Sequence, residues 1–145
     1  MFASVTRLRV RLILYLPRFL LGTCLAQKQA TRTAGFAGGK LLVDSDRTYW
    51  TLTVWDSEEA MKKFRGSAQH GKVMRKLAHW CDEAAYAHWT IDSTDVPGWA
   101  EAYDRLVADG KLSRVDHPSL RHQNREFRRP RINPEIGRTL KAKWN

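Results

Sequence analysis

Between residues 5 and 15 apolar and basic side chains take turns, with Leu8, Val10, Leu12 and Leu14 on one side and Arg7, Arg9, Arg11, Ile13 and Tyr15 on the other. A period of two predicts a strand with one apolar face. The period then lengthens. Pro17 suits a first helical turn, and Leu20, Leu21, Cys24 and Leu25 recur at helical spacing. Gly35, Gly38 and Gly39 punctuate a second strand over 36–43, where they predict a bulge or a close backbone approach. Asp44-Ser-Asp46 reads as a turn into a third strand over 47–55, rich in aromatic and β-branched residues, so the two strands form a hairpin.

After Trp55 the pattern turns helical at once. Asp56 is placed to accept from the first free N–H groups and Glu59 to return the bond, while Ala60, Met61 and Phe64 supply an apolar side. Gly66-Ser67 weakens this helix, and a second piece over 68–82 puts His70, Val73, Met74, Leu77 and Cys81 on one face, with His79 opposite. A fourth strand covers 84–91. Pro97 opens a last helix bearing Trp99, Tyr103, Leu106 and Val107, and Gly110 ends it.

The resulting order, strand, helix, strand, strand, helix, strand, is the ferredoxin-like βαββαβ arrangement of an α+β domain, with its helices on one face of a four-stranded sheet. The other face needs cover. Trp50, Leu52 and Val54 alternate with Tyr49, Thr51, Thr53 and Trp55, and Ala85, Ala87 and Trp89 alternate with Tyr86, His88 and Thr90. Large aromatics mixed with polar residues suit a sheet that shares a partly wet interior with a partner. Residues 1–95 form this domain, and 96–145 a C-terminal helix and basic extension packed on the domain or on a partner subunit.

Charge changes the picture mainly at that end. The chain carries a net charge of +10, and residues 111–145 hold ten Lys/Arg against three Asp/Glu. Arg121, Arg125, Arg128, Arg129 and Arg131 surround Phe127, while Ile132, Ile136, Leu140 and Trp144 read as anchors. A nucleic-acid arm is one reading of such a tail. The anchors, and the lack of a recognised binding motif, favour docking on a partner subunit instead. Cys24 and Cys81 belong to no closely spaced Cys/His set, so they read as free thiols on two helical stripes, in a reducing, cytoplasmic setting. No acidic residue precedes Asp44, which makes a targeting leader a rival for the N-terminus. Pro17 and Arg18 interrupt the apolar run there, and it is too short to span a membrane. Metal-ligand clusters, Gly-rich phosphate loops and nucleophile triads are not recognisable by spacing.

The strand ending Thr53-Val-Trp55, followed by Asp-Ser-Glu-Glu, an aromatic at Phe64 and then Ser67-Ala-Gln-His70, resembles the antibiotic-biosynthesis monooxygenases of the dimeric α+β barrel superfamily. The resemblance covers roughly residues 5–92. It implies a homodimer in which two sheets meet, with a ligand pocket between each sheet and its helices. Members include cofactor-independent oxygenases acting on polycyclic phenols, haem-degrading monooxygenases and proteins of unknown activity. The haem-degrading branch carries a tryptophan where this chain has Phe64, and a ligating histidine for which His70 arrives about one turn early. Its first-strand asparagine has no counterpart in residues 5–15.

Candidate chemistry follows. His70 and His88 are the candidate catalytic bases, since histidine titrates near neutral pH. Each also reads as a buried histidine satisfied by one hydrogen bond, the plainer of the two readings. Trp55, Phe64, Met74, Trp89, Arg9 and Arg11 are the candidate substrate-binding residues. Tryptophans line flat ligands, but they also fill cores. The Arg7, Arg9, Arg11 row either forks onto anionic groups of a ligand or keeps an edge strand soluble. The leading function is a small monooxygenase or related enzyme acting on a hydrophobic, aromatic compound in a Trp-lined pocket, with no cofactor; haem is the lesser possibility. The alternative is a non-catalytic ligand-binding or interaction protein that uses the barrel as a dimer scaffold and the basic tail for an anionic partner.

Overall fold

The computed structural model describes residues 1–131 and 138–141. The elements run β1 (Phe2–Val10), a 3-10 turn (Ile13–Tyr15), α1 (Leu16–Arg32), β2 (Phe36–Asp44), β3 (Thr48–Trp55), α2 (Glu58–Arg65), α3 (Ala68–Trp80) and β4 (Cys81–Thr90). They continue with α4 (Trp99–Asp109), β5 (Lys111–Leu112), α5 (Leu120–Gln123) and β6 (Arg138–Leu140). The sheet has the order β5-β4-β1-β3-β2-β6. Its four central strands are the ferredoxin-like core, and every pairing in it is antiparallel.

β1 lies three residues earlier than its alternation predicts, and it is a central strand rather than an edge. Phe2 to Arg9 pair with Trp55 to Thr48 on one side, and with Thr90 to Glu83 on the other. The ladder runs out where its neighbours do. The Val10 N–H bonds to Arg47 O and the Arg11 N–H to Trp80 O, after which the chain turns into helix. Leu12, Ile13 and Leu14 are exposed. Their alternation is real but has no ladder to occupy.

The β2–β3 turn places Asp46 (φ 59°) and Arg47 (φ 54°) successively in the left-handed region. Arg47 Nε donates to Val10 O at 3.0 Å and offsets part of that strain. In β2 the register shifts between Phe36 and Gly38, and a Cβ on Gly39 would lie 2.7 Å from Leu52 O. Both the bulge and the close approach are present. The helix after Trp55 is capped one residue later than expected. Ser57, not Asp56, accepts from Ala60 N–H at 3.1 Å, while the Asp56 N–H bonds to Gly35 O. Ser67 caps α3 in the same way, which explains the break at Gly66. Cys81 opens β4 rather than closing a helix, and it is buried; Cys24 is exposed, and both thiols are free.

The period of two divides the sheet into two faces. On the near face α1, α2 and α3 pack over Phe2, Leu8, Val10, Tyr49 and Trp55, adding Phe19, Met61, Leu77 and Trp80 to the core. On the far face Ala3, Val5, Leu42, Trp50, Leu52, Ala85, Ala87 and Trp89 form a second core with Ala102 and Leu106 of α4. Trp99, Tyr103, Leu112 and Phe127 pack against that core. Lys40 Nζ donates to the carbonyls of Val96 and Pro97 and pins the segment that leads into α4. Tyr103 Oη donates to Phe127 O at 3.2 Å and Arg125 to Gly110 O at 2.6 Å, holding the extension down.

The apolar far face, expected to meet a twin, is thus covered by α4 and the extension of the same chain. The extension then returns to the sheet edge, where β6 pairs with β2 and Leu140 is buried beside Phe36 and Trp55. Of the four predicted anchors only Leu140 falls among the described residues; Ile132, Ile136 and Trp144 lie outside them. No helix among the described residues is long and apolar enough to cross a membrane.

Candidate functional site

Alternation in β4 turns Tyr86 and His88 to the near face; in register Ser4 of β1 lies beside His88, and Thr53 of β3 lies beyond Ser4. α2 and α3 supply the rest. Phe64, near the end of α2, stacks on Trp55 with ring centroids 5.2 Å apart, and His70, in the first turn of α3, packs on Phe64 at 4.7 Å. Phe36 meets the other edge of Trp55 at 5.2 Å. Phe2 and Tyr86 flank His88 at 5.7 and 5.1 Å. An aromatic band therefore links the two histidines, with Trp55 Nε1–H held by Thr53 Oγ1 at 3.0 Å.

Both imidazoles are kept neutral. Burial lowers the pKa of His70, and Arg65 lowers it further. Burial also lowers that of His88, again helped by Arg65 and opposed by Glu58. His70 Nδ1 is sequestered and has no hydrogen-bond partner among the described residues. A neutral imidazole with an unused nitrogen beside aromatic rings is equipped to accept a proton from a bound acid.

Four of the eight candidate residues gather here: His70, His88, Trp55 and Phe64. Met74 lies on the outer side of α3, 40% exposed. Trp89 belongs to the far face, where its N–H donates to Glu101 and Arg105 lies over its ring. Arg11 leaves the strand and contacts the Tyr15 hydroxyl. Arg9 is on the far face. The tryptophans do not converge either. Trp50 and Trp89 fill the far core, and Trp55 and Trp80 sit in separate near-face clusters.

The buried pair of Arg7 and Glu83, 76 residues apart, was not visible in the sequence. Arg7 is 3% exposed and donates to Glu83 Oε2 at 2.6 Å, with its guanidinium over the Trp50 ring. Arg9 and Ser119 bond to the other Glu83 oxygen. Burial alone would raise the Glu83 pKa, but the Arg7 hydrogen bond and charge outweigh it and the net shift is downward. Two adjacent acidic residues at the start of β4, Asp82 and Glu83, were the only sequence signal.

Among the described residues no group of three or more His, Cys, Asp or Glu is placed to hold a metal ion. His70 is in contact with Phe64, and Phe64 with Trp55, so the space between the histidine and the tryptophan is filled by the Phe64 ring. Cys81 is no nucleophile at neutral pH, because burial, with help from Asp82, pushes its thiol up to about 12.

Comparison with solved structures places this geometry among known folds. SnoaB from Streptomyces nogalater, described as a cofactor-independent oxygenase, aligns in the form of a point mutant with a TM-score of 0.55 at 17% identity, over 63% of this chain and 93% of its own. Rv0793 from Mycobacterium tuberculosis aligns with a TM-score of 0.58 at 12% identity, over 65% of this chain and 98% of its own. A structure described as an antibiotic biosynthesis monooxygenase aligns with a TM-score of 0.57 at 9% identity, over 64% and 100%. At such identities the likeness concerns the fold, and on that level the chain is antibiotic-biosynthesis-monooxygenase-like. About a third of it lies outside each alignment. No curated protein matches it. The profile of a domain of unknown function, DUF3291, matches residues 19–111. That segment is well over half of the sequence and includes both histidines, α2, α3 and three of the four central strands, and the chain belongs to the DUF3291 family.

Proposed function

We propose that this protein is a cofactor-independent monooxygenase, or a related proton-transfer enzyme, acting on a hydrophobic aromatic compound at the near face. The observation that carries the reading is His70: neutral, with an unused Nδ1, and packed on the Phe64–Trp55 stack. His70 takes the proton of an acidic phenolic substrate, and the electron-rich anion then reacts with dioxygen directly. The aromatic band holds the flat ring and keeps water from the anion. His88, with Ser4 beside it, binds the polar end of the substrate or serves as the second base. The Trp-lined pocket contracts in this reading to Trp55 alone. SnoaB, of like fold and described as a cofactor-independent oxygenase, adds support at the level of analogy.

Homodimer formation belongs to the same reading, with one change. α4 occupies the apolar face through which two sheets would meet, so the subunit contact runs through another surface.

The test is oxygen uptake by purified protein with a panel of polycyclic phenols and no added cofactor. Wild type is expected to consume oxygen and convert at least one compound. His70→Ala loses at least about a hundredfold in kcat, the usual contribution of a positioned general base. A panel left unchanged by wild type, or a His70→Ala variant that keeps its rate, refutes the proposal.

A further inference from the structure

On the far face, at the end of the sheet away from Trp89, the extension closes over a recess of about 340 Å³. Arg7 and Arg9 of β1 line it from the sheet; Arg121, Arg128, Arg129 and Arg131 line it from the extension, and Asp44 and Asp46 from the β2–β3 turn. Six guanidinium groups face two carboxylates. Behind them Glu83 is bonded to Arg7, and Asp82 lies 3.5 Å from Arg9. Among the described residues two positive charges remain in excess. The Arg129–Asp104 contact, 3.8 Å long and open to solvent, is too screened to cancel one of them.

A second observation points inward. Arg7 is almost fully buried, yet its Nε has no hydrogen-bond partner among the described residues, and the same holds for Arg9 Nε. Arg11 Nε is also unmet, but it faces no such recess. A sequestered charged donor left unpaired is costly, so native structures supply a partner. Around this recess an anion satisfies such donors and also matches the surplus of guanidinium groups. Arginines arrive from the sheet below, from α5 at one side and from the extension above. A flat carboxylate takes one or two such forks, whereas a tetrahedral dianion can accept from several directions at once.

We infer that the recess bounded by Arg7, Arg9, Arg121, Arg128 and Arg131 is a binding site for the phosphoryl group of a small molecule. It is independent of the chemistry proposed at His70, because the two sites lie on opposite faces of the sheet. The basic extension thereby acquires a local purpose, since four of its arginines complete a site that two strand arginines begin. Asp44 fastens the lid, accepting from Trp50 Nε1 at 3.1 Å and from Arg131 N–H at 3.3 Å.

The experiment is calorimetric titration of the full chain with inorganic phosphate, pyrophosphate and citrate at matched ionic strength, together with a short duplex DNA. Saturable binding of phosphate or pyrophosphate, tighter than citrate, is the expected result. The Arg121→Ala/Arg128→Ala variant should weaken it about tenfold or more, the usual effect of losing a charge-assisted contact. A Lys28→Ala/Arg32→Ala control removes the same charge from α1 and should leave binding unchanged. Thermal unfolding of both variants confirms that each is folded. Absence of saturable binding to wild type overturns the inference. So does equal loss in the control, citrate binding as tightly as the phosphates, or duplex binding that pyrophosphate does not displace.

Discussion

The near face is closed by helices that lie between the strands in sequence; the far face is closed by a segment that follows them all. On the near side α2 and α3 bring Phe64 and His70 over a face whose strands carry Trp55, His88, Ser4 and Thr53. On the far side α4 seals one half with Ala102 and Leu106, and the other half holds a buried ion pair beneath an arginine-rich extension. Proton transfer suits the first environment, where burial keeps imidazoles uncharged. Anion binding suits the second, where charges are buried but partnered. One sheet therefore offers two chemically distinct environments, one on each face.

The far face is the more fragile, and the largest effect is expected there. Glu83→Ala strips Arg7 of its partner and should destabilise the protein by about 3–5 kcal/mol, read as a fall in unfolding free energy in urea. The double change Arg7→Met/Glu83→Leu removes both charges and should recover most of that loss. If the single variant is as stable as wild type, the pair does not hold the far face together. Leu106→Ala comes next, at about 2–5 kcal/mol, since it opens a cavity where α4 meets Trp50 and Leu52. A much smaller cost would mean that α4 rests on the face without sealing it.

Acid titration should separate the faces. His70, His88 and His122 all have folded pKa values below the ordinary value, chiefly through burial. Their neutral forms therefore stabilise the fold fully above the unfolded value of about 6.5, and this contribution is lost as pH falls through the folded values. Glu83 is also lowered, so its contribution is complete above about 4.3 and is lost in a later, more acidic step. Urea unfolding between pH 8 and 3 should show both declines. His70→Gln and His88→Gln together should shrink the first to the part due to His122 and spare the second. The smallest effect is Ser57→Ala, about 1 kcal/mol, from loss of the cap that starts α2 under the aromatic band.

Much of the near face was legible because its signals are local. The turn at Asp44–Asp46, the break at Gly66-Ser67 and the alternation through Trp55 and His88 each depend on neighbours a few residues away. Where local signals compete, the reading slipped. Asp56 and Ser57 are both good caps, and only the Asp56 N–H bond to Gly35 assigns the role to Ser57. The run from Arg7 to Tyr15 alternates throughout, but the ladders of β3 and β4 end beside Val10. Half of the candidate site scattered for the same reason. Residue type marks Trp89, Arg9 and Met74 as useful, while the parity of their strand or the turn of their helix decides which side they serve. The Arg7–Glu83 pair and the self-covering extension depend on separations of tens of residues, which no periodicity encodes.

A late cover also has a cost during synthesis. The four-stranded core cannot close until Thr90 has been added, because β4 is the second neighbour of β1. Asp109, the end of α4, follows 19 residues later, and at about 5–20 residues per second the ribosome needs roughly 1–4 s to reach it. Throughout that interval Trp50, Leu52 and Trp89 face water on an otherwise finished sheet. Nascent chains of this protein carry a sticky surface that the completed molecule no longer shows.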